Sequence, residues 1–310
     1  AASDVYKRQI MDTDPGIDDA AAITFALNHP DLDLQLITTV AGNVTVDKTT
    51  LNALKLTRFF NSDVPVAGGA AQPLIKPFED AVRIHGVSGM PGYDFPTDLA
   101  EPLPETAVEA LRDYIMAAEQ PITLVPTGAY TNIALLFKTY PEVMPHIKEI
   151  VAMGGALGKG NMTSAAEFNV FTDPHAAEIM YQSGVPITMV GLDVTMKALL
   201  TRESIEQLPT LGKTGEMLHA LFGHYNDRNQ TGVAMHDVNT LFYLLHPEAF
   251  TTEKMWIDVQ TEGPANGETV GDIRGAYHDG KTNATVCVDI DAAAFNKWFL
   301  ETVAAIDQPK

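Results

Sequence analysis

The sequence predicts an α/β fold with one domain, in which a mostly parallel, Rossmann-like central sheet is flanked by helices. Three observations lead to this prediction. Six short apolar runs are nearly continuous rather than alternating, which is typical of parallel strands buried on both faces. Segments with helical periodicity separate these runs. The 310 residues contain no linker, repeat or low-complexity tract, and α/β folds often reach this length as one domain.

The predicted elements follow the chain in alternating order. The strands are Gln9–Asp12, Leu34–Val40, Pro65–Ala67, Ile122–Pro126, Glu149–Met153 and Ile187–Val190. The helices between and after them are Asp18–Asn28, Val46–Phe60, Thr106–Ala118, Asn132–Lys138 and Pro174–Ser183. Beyond about Arg202, we expect one or two helices in Glu203–Tyr225, a helix at Val238–Leu245, a small antiparallel addition within Met255–Asp291 and a final helix from Ala292 to about Ala305.

The start of the chain does not resemble the start of a compact domain. Charged side chains interrupt any strand pattern before Ile10. We therefore expect residues 1–9 to form a disordered tail, which need not be the native start, and residues 10–310 to form the domain.

Composition excludes several classes of function. The formal net charge is −20, with 40 acidic against 20 basic residues, and such a field repels nucleic acid and anionic membranes. No apolar run reaches the ~18 residues that a membrane-spanning helix needs, and the first residues lack the pattern of a signal peptide. Cys287 is the sole cysteine, so the expected location is the reducing cytoplasm. The charge tolerates a divalent cation, although charge alone indicates only solubility.

Most predicted strands end in a small, polar or acidic cluster. Open α/β sheets bind ligands in the crevice at the carboxyl ends of their strands. Five or six strand ends would therefore supply groups to one crevice. The clusters are DTDPG, TTVAGN, AGGAA, PTGAYTN, MGGALGKGN and GLDVT.

The first of these clusters places four carboxylates within eight residues: Asp12, Asp14, Asp18 and Asp19. One such Asp would be explained as a helix cap, but four packed together repel one another and would have raised pKa values if buried. A hard cation such as Ca²⁺ or Mg²⁺ resolves that conflict. An EF-hand is excluded, because its sixth and twelfth positions would be Ile17 and Ile23 rather than Gly and Glu.

Other polar groups follow later strands or stand before helices. An adjacent His236 and Asp237 could serve as acid and metal ligand. Amides and a carboxylate at Asn161, Glu167 and Asn169 could bracket sugar hydroxyls. Further candidates are Asn43 and Thr127 at strand ends, and His85 in a Gly/Pro-rich loop, 80–98, that is long enough to be a lid. Each of these signals alone also fits an ordinary turn, loop or helix start.

Two alternatives stay open from the residues. Aspartyl-nucleophile phosphohydrolases also begin with a strand and Asp-x-Asp, which would make Asp12 the nucleophile, but they carry Thr or Val where this chain has Gly16. A non-catalytic ligand-binding protein would use the same pocket without turnover. The chain has neither GxGxxG after a strand nor GxxxxGK[ST], so dinucleotide and P-loop chemistry are not indicated.

Taken together, the motifs resemble those of the inosine–uridine-preferring nucleoside hydrolase family. They run in family order over most of the chain, and two further stretches, HGVSGMPGYDF and TGEMLHALFGHY, resemble the broad-specificity bacterial ribonucleoside hydrolases, which accept purine and pyrimidine ribonucleosides. The family motifs are DTDPGIDDA (12–20), TTVAGNV (38–44), VPTGAYTNIAL (125–135), IVAMGGA (150–156), GNMTSAAEFNVFTDPHAA (160–177) and MHD (235–237).

The resemblance implies a calcium-dependent hydrolysis of the bond between ribose and base, for nucleoside salvage, by a homodimer or homotetramer. The implied Ca²⁺ ligands are Asp14, Asp19, Asp237 and the carbonyl of Thr127. Asp14 would also be the general base, and His236 would assist departure of the base. The implied substrate-binding residues are Asp18 and Asn43 at the 2′- and 3′-hydroxyls, Asn161, Glu167 and Asn169 around the ribose, Met153 against the sugar and His85 near the base.

Overall fold

The computed structural model describes residues 7–308 except residue 228. An eight-stranded sheet forms the centre, with the strand order β3-β2-β1-β4-β5-β6-β12-β9. Neighbouring strands pair in parallel, apart from β9, which runs antiparallel to β12 at one edge. The predicted α/β fold, with a mostly parallel sheet and helices around it, is confirmed.

The strands and helices alternate through the first two thirds of the chain. The strands are β1 Lys7–Thr13, β2 Leu32–Thr39, β3 Val66–Gly68, β4 Ile122–Pro126, β5 Ile147–Met153, β6 Ile187–Val190, β7 Leu200–Thr201, β8 Gly232–Val233, β9 Phe250–Met255, β10 Ile257–Val259, β11 Thr269–Gly271 and β12 Ala284–Ile290. The helices are α1 Ile17–Asn28, α2 Val46–Phe59, α3 Val82–His85, α4 Ala107–Ala117, α5 Thr131–Thr139, α6 Phe168–Thr172, α7 Pro174–Tyr181, α8 Leu192–Thr195, α9 Arg202–Gln207, α10 Lys213–Phe222, α11 Val238–Leu245 and α12 Ala292–Ile306.

The strand order reverses direction at β1, whose two neighbours are β2 and β4. In open α/β sheets such a reversal leaves a crevice beyond the carboxyl ends of the two strands, because their connections leave toward opposite faces. The turn after β1 and the turn after β4 therefore lie side by side. These are the turns that carry Asp14 and Thr127.

Hydrophobic packing on both faces of the sheet explains the continuous apolar runs. Consecutive side chains in a strand point to opposite faces, and the adjacent Ile10 and Met11 are both 0 % exposed in β1. Ile10 belongs to the cluster that includes residues of α4, α5 and α7. Met11 belongs to the cluster that includes residues of α1, α10 and α12. A strand covered on both sides must be apolar at every position, so the alternation of a half-exposed strand is absent.

The first strand begins earlier than predicted. Lys7–Gln9, which were assigned to a tail, pair with Leu32–Leu34 of β2. The ladder is made by main-chain groups, so polar side chains do not prevent it, and Arg8 pairs with Asp33 of β2 at 3.7 Å. Residues 1–6 of the predicted tail lie outside the described part of the chain.

The last third of the chain contains two helices, α9 and α10, where one or two were predicted in Glu203–Tyr225, and it departs from the prediction in its strands. A 3₁₀ turn at Leu208–Thr210, which contains Pro209, separates the two helices, and α10 ends at Phe222. The antiparallel addition is present as β10–β11 and as β9 against β12, but β12 pairs in parallel with β6 and so extends the main sheet. Local sequence cannot specify that direction, because it depends on the side from which the chain returns to the sheet.

Two segments predicted as loops contain short helices. Helix α3 lies inside the loop 80–98, and α8 follows β6 directly. Within the part of the chain that the structure describes, no helix is both long and apolar enough to cross a membrane.

We predict that Asp173→Ala lowers the free energy of unfolding by about 3 kcal/mol, because it leaves several buried donors without partners. The Asp173 carboxylate is 0 % exposed. It accepts hydrogen bonds from the backbone N–H of Ala176 at 3.0 Å, the hydroxyl of Thr131 at 2.6 Å and the N–H of Leu74 at 2.9 Å. Urea unfolding measures the change.

The matched control for this prediction is Asp291→Ala. Asp291 is an exposed N-cap of α12 that accepts the N–H of Ala294 at 3.0 Å, so its loss is expected to cost only about 1 kcal/mol. Equal losses in the two variants would contradict the role given to Asp173.

Candidate active site

A cavity of ≈ 530 Å³ opens at the carboxyl ends of the parallel strands. It brings together residues from β5, α1, α3 and α6, from the turn after β4, from the segment before α11 and from other loops nearby. Every predicted site residue except Asp14 lines it. The lining residues are Asp18, Asp19, Asn43, Ala81, Arg83, Ile84, His85, Thr127, Met153, Asn161, Met162, Glu167, Phe168, Asn169, Met196, Tyr225, Asp227, Asn229, His236 and Asp237.

Three buried carboxylates meet at this cavity. Each of Asp18, Asp19 and Asp237 offers an oxygen, and these atoms lie within 4.8 Å of one another. Asp18 and Asp19 occupy the first turn of α1, because Pro15 and Gly16 delay the helix until Ile17. Asp237 immediately precedes α11, and its backbone N–H donates to Asp18 at 3.4 Å. The cluster thus joins two helix starts that are over 200 residues apart in the sequence.

Asp14, the predicted base and metal ligand, is 1 % exposed and does not belong to the residues that line the cavity. Its Oδ2 accepts the backbone N–H of Asn43 at 2.8 Å, whereas its buried Oδ1 has no hydrogen-bond partner among the described residues. Two glycines leave room for this carboxylate. A Cβ added at Gly42 would lie 2.1 Å from Oδ2, and one added at Gly128 would lie 3.0 Å from Oδ1. Position 42 and position 128 therefore carry no side chain for a steric reason.

Hydrogen-bond donors hold the acidic turn in shape. The amide of Asn43 donates to Asp19 Oδ2 at 2.9 Å and to the carbonyl of Asp14 at 3.0 Å. The Thr13 hydroxyl donates to Asp19 Oδ1 at 2.8 Å. The sequence prediction gave Asn43 to the substrate; in the structure its nitrogen organises the carboxylates while the residue also lines the cavity.

Burial and mutual repulsion make these acids unfavourable as bare anions. Burial is the main cause that raises the pKa of Asp14, Asp18 and Asp237, and the charge of Asp19 raises all three further. A divalent cation would offset this repulsion. The donor set fits such an ion, because carboxylate and carbonyl oxygens are the ligands of hard cations. A buried acidic cluster able to bind a metal is therefore a property of this site.

A second group of residues connects the ends of β4 and β5. The side-chain amide of Asn169 donates to the carbonyl of Thr127 at 2.9 Å and to the carbonyl of Met153 at 3.1 Å. The hydroxyl of Thr127 is buried without a described partner. Asn169 thus fixes the strand-end carbonyl predicted as a metal ligand.

Glu167 and Asn161 both act on the start of α6. The carboxylate of Glu167 accepts the N–H groups of Asn169 at 2.8 Å, Val170 at 3.2 Å and Gly155 at 3.0 Å. Burial nevertheless raises the pKa of Glu167 to about 7. Asn161 accepts the N–H of Phe168 at 2.9 Å. Both residues line the cavity as predicted. Both also accept backbone N–H groups at the start of α6, as a helix cap does.

Two histidines reach the cavity from opposite sides. His85 Nδ1 accepts the N–H of Ile17 at 2.9 Å, and His236 Nδ1 is hydrogen-bonded to the hydroxyl of Thr195 at 2.7 Å. Burial lowers the pKa of each ring to about 4. Both imidazoles are therefore neutral at pH 7, and the proton of His85 sits on Nε2 because its Nδ1 accepts.

Sequence reasoning missed one wall of the cavity. Tyr225 lies with its ring centroid 5.3 Å from that of His85, and Arg83, Asp227, Asn229 and Met196 also line the space. These residues lie in or next to loops without a periodicity that marks them, and the stretch TGEMLHALFGHY, which ends at Tyr225, did not identify that residue as part of the site. Only the folding of these segments over the strand ends brings them to the site.

Asp12, the nucleophile of the phosphohydrolase alternative, does not line the cavity. It is 1 % exposed and accepts the hydroxyl of Thr38 at 2.6 Å and the amide of Asn132 at 2.7 Å. It therefore ties β1 to β2 and to α5, which is a structural role. Burial raises its pKa to about 7.

The fold and the cavity define an α/β enzyme that takes a small polar ligand beside clustered carboxylates. The sequence profile described as inosine-uridine preferring nucleoside hydrolase matches residues 9–297. The non-specific ribonucleoside hydrolase RihC of Klebsiella pneumoniae subsp. pneumoniae is 51 % identical over 297 residues, which cover 95 % of this chain and 97 % of that protein. RihC of Salmonella typhi is 50 % identical over 299 residues, covering 96 % and 97 %.

Solved structures agree with this relationship. A purine-preferring ribonucleoside hydrolase from Gardnerella vaginalis is similar with a TM-score of 0.90 and 33 % identity, covering 97 % of this chain and 99 % of that one. The plant nucleoside hydrolase PpNRh1 is similar with a TM-score of 0.87 and 31 % identity, covering 96 % and 99 %. The chain therefore belongs to the inosine–uridine-preferring nucleoside hydrolase family. It is a hydrolase that acts on N-glycosyl compounds.

We predict that Gly42→Ala weakens Ca²⁺ binding tenfold or more, a loss of at least ~1.4 kcal/mol, because its Cβ would displace the Asp14 carboxylate. Calorimetric titration of metal-stripped protein with Ca²⁺ measures the affinity. The control is Gly223→Ala, whose Cβ would meet the carbonyl of Ala220 at an ordinary 3.5 Å. Unchanged affinity in a folded Gly42→Ala protein would contradict the steric argument.

Proposed function

We propose that this protein hydrolyses purine and pyrimidine ribonucleosides to ribose and free base with bound Ca²⁺, in nucleoside salvage. The observation that carries the proposal is the convergence of Asp18, Asp19 and Asp237 within 4.8 Å at a cavity of ≈ 530 Å³. The range of substrates is supported by the non-specific ribonucleoside hydrolases to which the chain is about half identical. The Gardnerella vaginalis structure is named for purine preference, so the family does not decide the range by itself.

The proposed ligands of Ca²⁺ are Asp14, Asp19, Asp237 and the carbonyl of Thr127. When bound, Ca²⁺ supplies positive charge that acidifies the attacking water and orients the ribose diol. Asp18 also belongs to the triad of close oxygens, and it would hold the 2′- and 3′-hydroxyls of the ribose together with Asn43. Asn43 lies beside it, where its side chain is already held by Asp19.

Asp14 is proposed as the general base. Its Oδ2 is held by the N–H of Asn43, and its Oδ1 is buried with no described partner. Oδ1 is therefore the atom free to accept a proton from water. Burial and the charge of Asp19 raise its pKa, and a bound cation would favour the deprotonated carboxylate that a general base requires.

The ring of oxygens around the sugar stabilises the transition state. Cleavage of an N-glycosidic bond develops positive charge on the ribose, and preorganised carboxylate and amide dipoles favour that charge. Glu167, Asn161 and Asn169 are proposed to hold the ribose, with Met153 packed against it. The hydrogen bonds that fix Glu167 and Asn169 prevent them from turning away as the charge develops.

The histidines are proposed to act on the base. His85 has a neutral ring with its proton on Nε2, which can donate to a base heteroatom. His236 is also neutral at pH 7, because burial lowers its pKa to about 4; its hydrogen bond to Thr195 leaves Nε2 as the atom available to the leaving base. A neutral imidazole is a hydrogen-bond donor and a weak acid, which suits a leaving group that departs as an anion.

Two further proposals follow from the family. We propose a homodimer or homotetramer located in the cytoplasm. The alternative of a non-catalytic nucleoside-binding protein is disfavoured, because the site holds both a proposed base, Asp14, and a proposed acid, His236, and because the RihC relatives at 50–51 % identity are named hydrolases.

We predict that purified protein with Ca²⁺ releases ribose from inosine, adenosine, guanosine, uridine and cytidine, as measured by a reducing-sugar assay.

Asp14→Asn should lower kcat by at least a hundredfold, about 2.7 kcal/mol of barrier, while substrate binding changes little, because the amide keeps an oxygen but cannot take the proton. Turnover within tenfold of the wild type would contradict the role. An exposed-site control, Asp63→Asn, should leave kcat unchanged.

We predict that Ca²⁺ stabilises metal-stripped protein by about 2.7 kcal/mol at a hundredfold excess over Kd, seen as a rise of several degrees in Tm. Relief of repulsion among the buried carboxylates is the physical reason. Asp237→Asn should lose most of this rise, whereas Asp63→Asn should keep it. A Tm that does not respond to Ca²⁺ in the wild type would argue against the metal.

A further inference from the structure

Asn52 lies on α2, outside the cavity, and contacts two loops of the site at once. Its side chain is 1 % exposed. The amide nitrogen donates to the carbonyl of Pro15 at 2.9 Å and to the carbonyl of Ser88 at 2.8 Å. A primary amide has two N–H donors, and both are used here on main-chain oxygens of different segments.

The two carbonyls belong to two different segments of the site. Pro15 follows Asp14 and precedes the carboxylates at the start of α1. Ser88 lies three residues after His85, in the loop 80–98. The Asn52 side chain therefore links the acidic turn to the loop that brings His85 to the cavity, in addition to the hydrogen bond from the Ile17 N–H to His85 Nδ1.

Two contacts next to Asn52 also hold the loop 80–98 against α2. Lys48, one helical turn before Asn52, donates from Nζ to the carbonyl of Val87 at 2.7 Å. Close packing leaves little freedom at the next residue of the loop, because a Cβ on Gly89 would lie 2.9 Å from the Asn52 nitrogen and 3.1 Å from the Pro15 carbonyl. Residues 87–89 are thus held against α2 by contacts that do not involve the substrate.

We propose that Asn52, assisted by Lys48, is a positioning residue that fixes the His85 loop relative to the acidic turn and thereby sets the affinity for the nucleoside. The inference rests on the proposed function, since it takes His85 to lie near the base. Asn52 does not line the cavity, so it would touch neither the substrate nor the cation. It acts by keeping the two segments at one separation before the substrate arrives, so that binding does not have to order the loop.

The alternative is that Asn52 only contributes to stability, as other buried amides do. The chain offers a matched residue for this comparison. Asn283 is half-buried and also donates from its side-chain nitrogen to two main-chain carbonyls, those of Tyr181 at 3.2 Å and Ile257 at 3.0 Å. It does not line the cavity.

The experiment compares Asn52→Leu with Asn283→Leu in the full chain with Ca²⁺, using inosine and uridine. Rates are normalised to the fraction of molecules that bind Ca²⁺ in a titration, so that unfolded protein does not count. Amide hydrogen exchange of residues 86–90 is recorded in the same samples. We expect Asn52→Leu to raise KM about tenfold, which corresponds to ~1.4 kcal/mol, with faster exchange in 86–90 and kcat less affected than KM.

Asn283→Leu is expected to lower stability without a change in KM or in exchange of 86–90. An unchanged KM in folded, Ca²⁺-binding Asn52→Leu would overturn the proposal, as would an equal rise of KM in Asn283→Leu. If Asn52→Leu does not fold, Lys48→Met provides the test. A rise in KM smaller than the tenfold rise expected for Asn52→Leu, together with faster exchange of residues 86–90, supports the positioning role. A KM and an exchange rate equal to those of the wild type overturn it.

Failure of the proposed function has a different signature. Wild-type protein would then release no ribose, whatever the state of Asn52. In that event hydrogen exchange still tests whether α2 holds the His85 loop. Faster exchange of residues 86–90 in Asn52→Leu but not in Asn283→Leu would show that α2 holds the loop. Equal exchange in the wild type and both variants would overturn the positioning role.

Discussion

Electrostatic repulsion among buried carboxylates is the constraint on which this site depends. Burial is the main cause that raises the pKa of Asp14, Asp18 and Asp237, and the charge of Asp19 raises the pKa of each of them further. The fold places hydrogen-bond donors from Asn43, Thr13 and Gly16 around them. These donors reduce the free-energy cost of the buried charges without removing it. A hard cation would offset the repulsion that remains.

The sheet converts that local constraint into a binding site. Because the strand order reverses between β2 and β4 around β1, the acidic turn and the turn of Thr127 open on the same crevice. Gly42 lies in the turn after β2 and Gly128 lies in the turn after β4, and the absence of a side chain at each lets the backbone approach Asp14. Contacts such as those of Asn169 at the strand ends and Asn52 behind the first turn then hold the surrounding loops at fixed separations.

Similar residues in the same motifs have different roles. Asp12 and Asp14 are two positions apart, and each keeps a buried Oδ1 without a described partner. Oδ2 of Asp12 is held by the side chains of Thr38 and Asn132, whereas Oδ2 of Asp14 is held by the backbone N–H of Asn43, a residue that lines the cavity. Asp173, from the motif that also contains Glu167 and Asn169, caps α7 and ties it to neighbouring segments. Chemical type alone does not separate a site residue from a structural one; the partners do.

The sequence by itself determined the α/β class, the strands at Ile122–Pro126 and Ile187–Val190, and the residues that would gather at the strand ends, because burial on two faces and turn chemistry leave local patterns. It did not determine that Lys7 and Arg8 join β1 or that β12 runs parallel to β6, since pairing depends on main-chain partners far along the chain. Only the tertiary structure decided that Asp18 joins Asp19 and Asp237, that Asp14 does not line the cavity, and that Tyr225 lies against His85. Such proximities arise from packing between distant segments, and no local pattern records them.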